Sequence, residues 1–194
     1  MLTLLPNVLS LSRIAAIPVL VILMYLEAPL WAWLACVLFT LAGLTDVLDG
    51  WLARRSKTTS KLGQFLDPIA DKLLVAAVLL MLVAKGRISE YSLPAALVIL
   101  CREFLVSGLR EFLADLRVGV PVTRLAKWKT AIQMISLGWL IVAKAGPDFI
   151  PVQTIGEIGL WIAALLTLVT GWDYLRAGLA HMDLEAPPPS DGKP

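Results

Sequence analysis

Six apolar runs, each near the length that crosses a bilayer, dominate this chain: about residues 8–26, 30–52, 68–84, 93–113, 129–143 and 152–175. A spanning helix needs roughly 20 mostly apolar residues. Six of them use up most of the 194 residues, which leaves no room for a separate soluble domain. The expected fold is all-α and integral to the membrane, with six transmembrane helices. Residues 1–13 mix apolar and polar side chains and are expected to begin as a short interfacial segment. Composition agrees: 58% of the residues are hydrophobic and 16% charged, against roughly 45–50% and 25% in soluble domains. Disorder, collagen-like repeats and nucleic-acid binding are poor fits. One membrane domain is expected over 1–185, followed by a disordered, Pro-rich tail over 186–194.

Lys and Arg set the orientation. Arg13, Arg54, Arg55, Lys57, Lys61, Lys72, Arg110, Arg117, Arg124, Lys127, Lys129, Arg176 and Lys193 crowd the ends of even spans and the starts of odd ones. Lys85, Arg87 and Lys144 fall on the other side. By the positive-inside rule both termini are expected in the cytoplasm, with the protein in the cell membrane, the inner one in a bacterium. Trp31 and Trp33 then lie at the outer interface. No cleavable signal peptide is apparent. Cys36 and Cys101 stand alone in apolar runs and read as small core hydrophobes, and the single His181 argues against a His-based zinc centre.

The chemistry is concentrated between the second and third runs. Asp46 and Asp49 are i,i+3 at the cytoplasmic end of one helix, and Asp67 and Asp71 are i,i+4 at the start of the next. Each pair shares a helix face. The short connection predicts antiparallel neighbours whose carboxylates converge. Acids at a membrane boundary are costly and mark function. Their ligand set is hard oxygen, which favours Mg²⁺ or Mn²⁺, with Ca²⁺ compatible, over zinc or copper. Carboxylates so spaced can hold two cations, an arrangement suited to phosphoryl transfer. Gly50 and Ala53, on the same side, let a bulky ligand or another helix approach the backbone. Plainer readings exist for each piece. Asp67 before Pro68 can be a helix N-cap with Pro at the first helical position. Asp46 and Asp49 can pair with Arg54 or the loop lysines. The small residues can be plain packing.

Taken together, Asp46-x2-Asp49-Gly50-x2-Ala53-Arg54-x8-Gly63-x3-Asp67-x3-Asp71 resembles the full signature of the CDP-alcohol phosphotransferase family. The resemblance implies a site of two divalent cations, Mg²⁺ or Mn²⁺, held by Asp46, Asp49, Asp67 and Asp71. It implies Asp71 as the general base, and a CDP moiety bordered by Asp46, Asp49, Gly50, Ala53, Arg54 and Gly63. It also implies a homodimer.

The fourth and fifth runs bear on the acceptor alcohol. Arg102-Glu103-Phe-Leu-Val-Ser107-Gly-Leu-Arg110-Glu111 sets charges inside an apolar span, with Glu103, Ser107 and Arg110 on one face. Arg102 lies about 12 Å deeper than Arg110 by helical rise. It reads equally as a structural partner of Glu103 or a motif aspartate, or as a substrate contact. Arg117 and Arg124 suit positive-inside topology and attraction to anionic lipid. Lys129 and Gln133, at i,i+4, can point inward. A cationic cluster facing the carboxylates suits an acceptor that carries its own phosphate, and Arg110 and Lys129, then Arg124 and Lys127, are its expected ligands. Three stretches are similar to the family's branch that uses sn-glycerol 3-phosphate with CDP-diacylglycerol. They are Pro6-Asn7-x-Leu9-Ser10-x2-Arg13, the Arg102–Glu111 stretch and Lys127-x-Lys129-Thr130-x2-Gln133. Ser10 departs from the Thr frequent there. The implied reaction yields phosphatidylglycerophosphate and CMP beside membrane lipid. Rival readings are another acceptor, namely inositol phosphate, serine or phosphatidylglycerol, and a cation transporter or channel that uses the aspartates. A scaffold without activity has no need of the complete aspartate set.

Overall fold

The computed structural model describes the backbone of residues 5–26, 28–56, 61–115 and 124–184, and side chains over 11–26, 28–45, 66, 68–114, 125–172 and 174–176. Six α-helices form among them: α1 (Leu5–Tyr25), α2 (Pro29–Ser56), α3 (Lys61–Ala84), α4 (Leu93–Asp115), α5 (Arg124–Val142) and α6 (Val152–Leu184), with a 3-10 turn, Glu90–Ser92, leading into α4. No strand occurs among the described residues. Glu90–Ala114 and Val152–Arg176 are long and apolar enough to cross a membrane, and Leu11–Tyr25 and Pro29–Thr45 are shorter apolar helical stretches.

Paired contacts fix the helix directions. Arg13 of α1 meets Asp71 of α3, each somewhat nearer the start of its helix than its end. Lys85, just past α3, donates to the Tyr25 carbonyl at the other end (3.0 Å). α1 and α3 therefore run parallel. α2 and α5 are antiparallel, because Cys36 lies by Gly138 and Gly43 by Met134. Gly156 and Gly159 of α6 pack on Leu140 and Ser136 of α5, again antiparallel. Glu157 of α6 accepts from the Ser89 and Ser92 hydroxyls, each at 2.8 Å, while Arg102 reaches Thr170, so α4 and α6 run parallel. The chain thus alternates direction from helix to helix.

The buried apolar core runs through all six helices, with Leu20, Phe39, Val78, Ile99, Leu140 and Leu160 among its members. Many large apolar side chains face outward, among them Ile22, Leu80, Leu97, Leu165 and Trp172. Arg13, Lys129 and Gln133, by contrast, are buried. An outward apolar belt around buried charges reverses the usual soluble pattern.

The end of the bundle away from Asp71 is locked by backbone chemistry. Gly86, at φ +60°, closes α3. Its N–H bonds the Val83 carbonyl and the Arg87 N–H bonds that of Leu82, a Schellman cap that calls for a left-handed residue. The buried Arg87 then donates to the Ile141 carbonyl at the end of α5, where a cation suits the helix dipole.

Two expectations change. The segment before Arg13 is continuous with α1 from Leu5 and forms no separate element there. α3 begins at Lys61, so Pro68 lies inside the helix and Asp67 is no N-cap. The first helical turns use only local hydrogen bonds, and Pro68 costs the Gln64 carbonyl one partner, a loss that helices in membranes tolerate. Over their described parts α1 packs along both α2 and α3, and the facing of the two aspartate pairs lies outside the described side chains. The tail over 186–194 lies outside the described residues.

Candidate active site

The expected carboxylates sit on two helices whose backbones are in place. Asp46 and Asp49 lie in the second half of α2, and Asp67 and Asp71 in the first half of α3. The helical backbone preserves the i,i+3 and i,i+4 spacings. The side chains of Asp46, Asp49 and Asp67 lie outside the described residues, as do those of Ala53 and Arg54 and the surroundings of Gly50 and Gly63. No group of three metal-ligating side chains occurs among the described ones.

Asp71 is described. Its Oδ1 accepts from Arg13 Nη1, and Arg13 comes from α1 with its side chain almost wholly enclosed. This pair ties the first helix to the second carboxylate helix. One turn along from Pro68, Lys72 donates to the Pro68 carbonyl (2.6 Å), which keeps that ammonium on α3.

A second polar cluster lies between α4, α5 and α6. Lys129 on α5 is 2% exposed and pairs with Glu103 Oε1 of α4. Arg102 approaches the same oxygen at 3.7 Å. Its Nη2 donates to Thr170 Oγ1 at 3.0 Å, and its guanidinium stands 5.9 Å from the Tyr174 ring centroid. Gly171 leaves room for it, since a Cβ there would meet Arg102 Cγ at 3.2 Å. Arg102 is thus engaged by Glu103 and α6. One carboxylate serves two cations, so the trio carries a net positive charge in a largely enclosed place, an arrangement that favours an anionic ligand. Gln133, also 2% exposed, follows one turn beyond Lys129.

The expected acceptor ligands separate by burial. Lys129 is inside, whereas Arg110 and Lys127 are exposed at the same end of the bundle. Arg124 begins α5 and its side chain lies outside the described residues. Two participants escape a sequence reading: Arg13, which reads there as a boundary charge, and Glu103 as the partner of Lys129. The signal for Arg13 is its place in the Pro6–Arg13 stretch, and for Glu103 its place inside an apolar run.

Similarities to known proteins follow the same outline. The sequence model of the CDP-alcohol phosphatidyltransferase family matches residues 3–169. A Rickettsia bellii protein named CDP-diacylglycerol--glycerol-3-phosphate 3-phosphatidyltransferase is 50% identical, with 89% of this chain and 94% of that protein covered. A Rickettsia typhi protein of the same name is 50% identical, covering 89% and 96%. One from Cereibacter sphaeroides is 36% identical, covering 91% and 96%.

Proposed function

This chain belongs to the CDP-alcohol phosphatidyltransferase family, and we infer that it transfers the phosphatidyl group of CDP-diacylglycerol to sn-glycerol 3-phosphate, releasing phosphatidylglycerophosphate and CMP. The observation that carries this reading is the half-identity, over nearly the whole of both chains, to proteins named for that reaction.

Asp46, Asp49, Asp67 and Asp71 are the proposed holders of two divalent cations, Mg²⁺ or Mn²⁺. Four hard oxygen donors at two helical spacings fit such ions. Bound there, the cations supply charge neutralisation for the diphosphate. CDP lies along Asp46, Asp49, Gly50, Ala53, Arg54 and Gly63. Asp71 takes the proton of the attacking hydroxyl. Arg13 fixes that carboxylate in place, which the ion pair from α1 supports. The hydroxyl oxygen forms a bond to the lipid-bearing phosphorus, the bond from that phosphorus to the CMP oxygen breaks, and CMP departs. The acceptor's phosphate is held by Arg110 and Lys129, then Arg124 and Lys127. The surplus positive charge of the enclosed Arg102–Glu103–Lys129 trio supports this assignment.

The six helices are proposed to span the cell membrane, with the active site and both termini in the cytoplasm. Their alternating directions, the outward apolar belt and the crowding of Lys and Arg at one end support that orientation. The membrane domain is taken as 1–185, and a homodimer is carried over from the family resemblance. An acceptor panel tests the central reading. Purified protein in liposomes with CDP-diacylglycerol and Mg²⁺ or Mn²⁺ is given sn-glycerol 3-phosphate, inositol phosphate, serine or phosphatidylglycerol, and the lipid product is identified. Phosphatidylglycerophosphate alone is expected. A product from another alcohol in its place would move the acceptor, and cation flux without CMP release would sink the transferase reading.

A further inference from the structure

The buried polar face of α5 ends in an atom without a counterpart. Lys129 is matched by Glu103. Gln133 is as deeply enclosed, at 2% exposure, yet its Oε1 has no hydrogen-bond partner among the described residues. Buried polar atoms are nearly always satisfied, so an orphan acceptor beside a proposed substrate site points to a donor that the substrate brings.

An amide oxygen only accepts, which narrows the choice. The acceptor's phosphate and the diphosphate offer oxygens, and acyl chains offer nothing polar. The remaining donors are hydroxyls and the cytosine amine. The nucleotide is placed toward the cytoplasmic end of α2, whereas Gln133 is a turn further from that end than Lys129. The attacking hydroxyl gives its proton to Asp71. The donor left over is the acceptor's second hydroxyl. One helical turn separates Lys129 from Gln133, about 6 Å of rise, a span suited to a three-carbon phosphate ester.

We propose that Gln133 is a specificity residue whose Oε1 accepts a hydrogen bond from the non-reacting secondary hydroxyl of glycerol 3-phosphate. The proposal rests on the reading that Lys129 helps to hold the acceptor's phosphate. It predicts that the site disfavours phosphorylated alcohols that lack a hydroxyl at that place, because they would leave the amide oxygen buried and unpaired.

The test compares glycerol 3-phosphate with 3-hydroxypropyl phosphate, which keeps the phosphate and the primary hydroxyl but lacks the secondary one. kcat/KM for each is measured by CMP release from the full chain in liposomes. The wild type is expected to prefer glycerol 3-phosphate by about tenfold or more. Gln133→Met, similar in size, is expected to collapse that ratio toward one by losing activity on glycerol 3-phosphate. Gln133→Glu keeps an acceptor oxygen and is expected to keep the preference, whatever its overall rate. The ratio is taken within each enzyme, so a partly folded preparation does not disturb it. A wild-type ratio near one, or an unchanged ratio in Gln133→Met, would overturn the proposal while glycerol 3-phosphate turnover stood. No wild-type turnover of either alcohol would overturn the transferase reading on which the proposal stands.

Discussion

Glu103 holds Lys129 through one oxygen, with Arg102 close to the same atom, so its removal leaves two enclosed cations facing each other. Truncating one member of a buried pair costs about 3–5 kcal/mol, much of it the stranded charge of the partner. Glu103→Ala is therefore expected to lower unfolding stability in detergent by about 3 kcal/mol. Adding Lys129→Met to that variant should recover part of the loss. A double variant less stable than Glu103→Ala would show that the stranded ammonium is not the cause. The four aspartates are legible in the sequence because their spacing is local and unusual. The pairs that organise the site are not, because each joins helices far apart in sequence, Arg13 to Asp71 and Glu103 to Lys129. A lone arginine near the start of an apolar run looks the same whether it faces lipid headgroups or a carboxylate on another helix.

Helix existence follows from hydropathy, but helix ends do not. Hydropathy reports where the surroundings change, while backbone hydrogen bonding continues past that point. α6 runs to Leu184 over 33 residues, roughly 50 Å of helix at 1.5 Å per residue, well beyond a hydrocarbon core of about 30 Å. α3 likewise starts about two turns before its apolar run, which moves Asp67 from a cap to a helix interior. Helix neighbours are equally hidden, and hydropathy does not reveal that α1 packs along both α2 and α3. Close approach of α5 and α6 depends on glycines that the sequence does not single out. A Cβ on Gly156 would stand 2.7 Å from Leu140 Cγ and 3.3 Å from the Leu140 backbone nitrogen. Gly156→Ala is expected to cost about 1–3 kcal/mol, the usual penalty of overpacking. The midpoint of thermal unfolding in detergent should fall, and an unchanged midpoint would show that the two helices part without penalty.

At the scale of the whole molecule, an apolar exterior surrounds buried charges, and cations gather at the end that carries the aspartates. This asymmetry predicts the sidedness. A tag placed after Pro194 should be cut by added protease in inside-out vesicles and protected in sealed spheroplasts, and cleavage in spheroplasts would reverse the orientation. The proposed reaction would bring a water-borne acceptor and a membrane-borne donor to the aspartate-bearing end, and the fold sets Asp71 beside Arg13 and encloses a net positive cluster between α4, α5 and α6. The central claim is that these groups perform phosphatidyl transfer, with Asp71 taking the proton. It is tested most directly by CMP release from CDP-diacylglycerol in liposomes with Mg²⁺ or Mn²⁺, with and without sn-glycerol 3-phosphate, for wild type and Asp71→Asn. Release that needs the acceptor, and that falls at least about 100-fold in Asp71→Asn, is the predicted result. Release that ignores the acceptor, or survives in a folded Asp71→Asn protein, would contradict it.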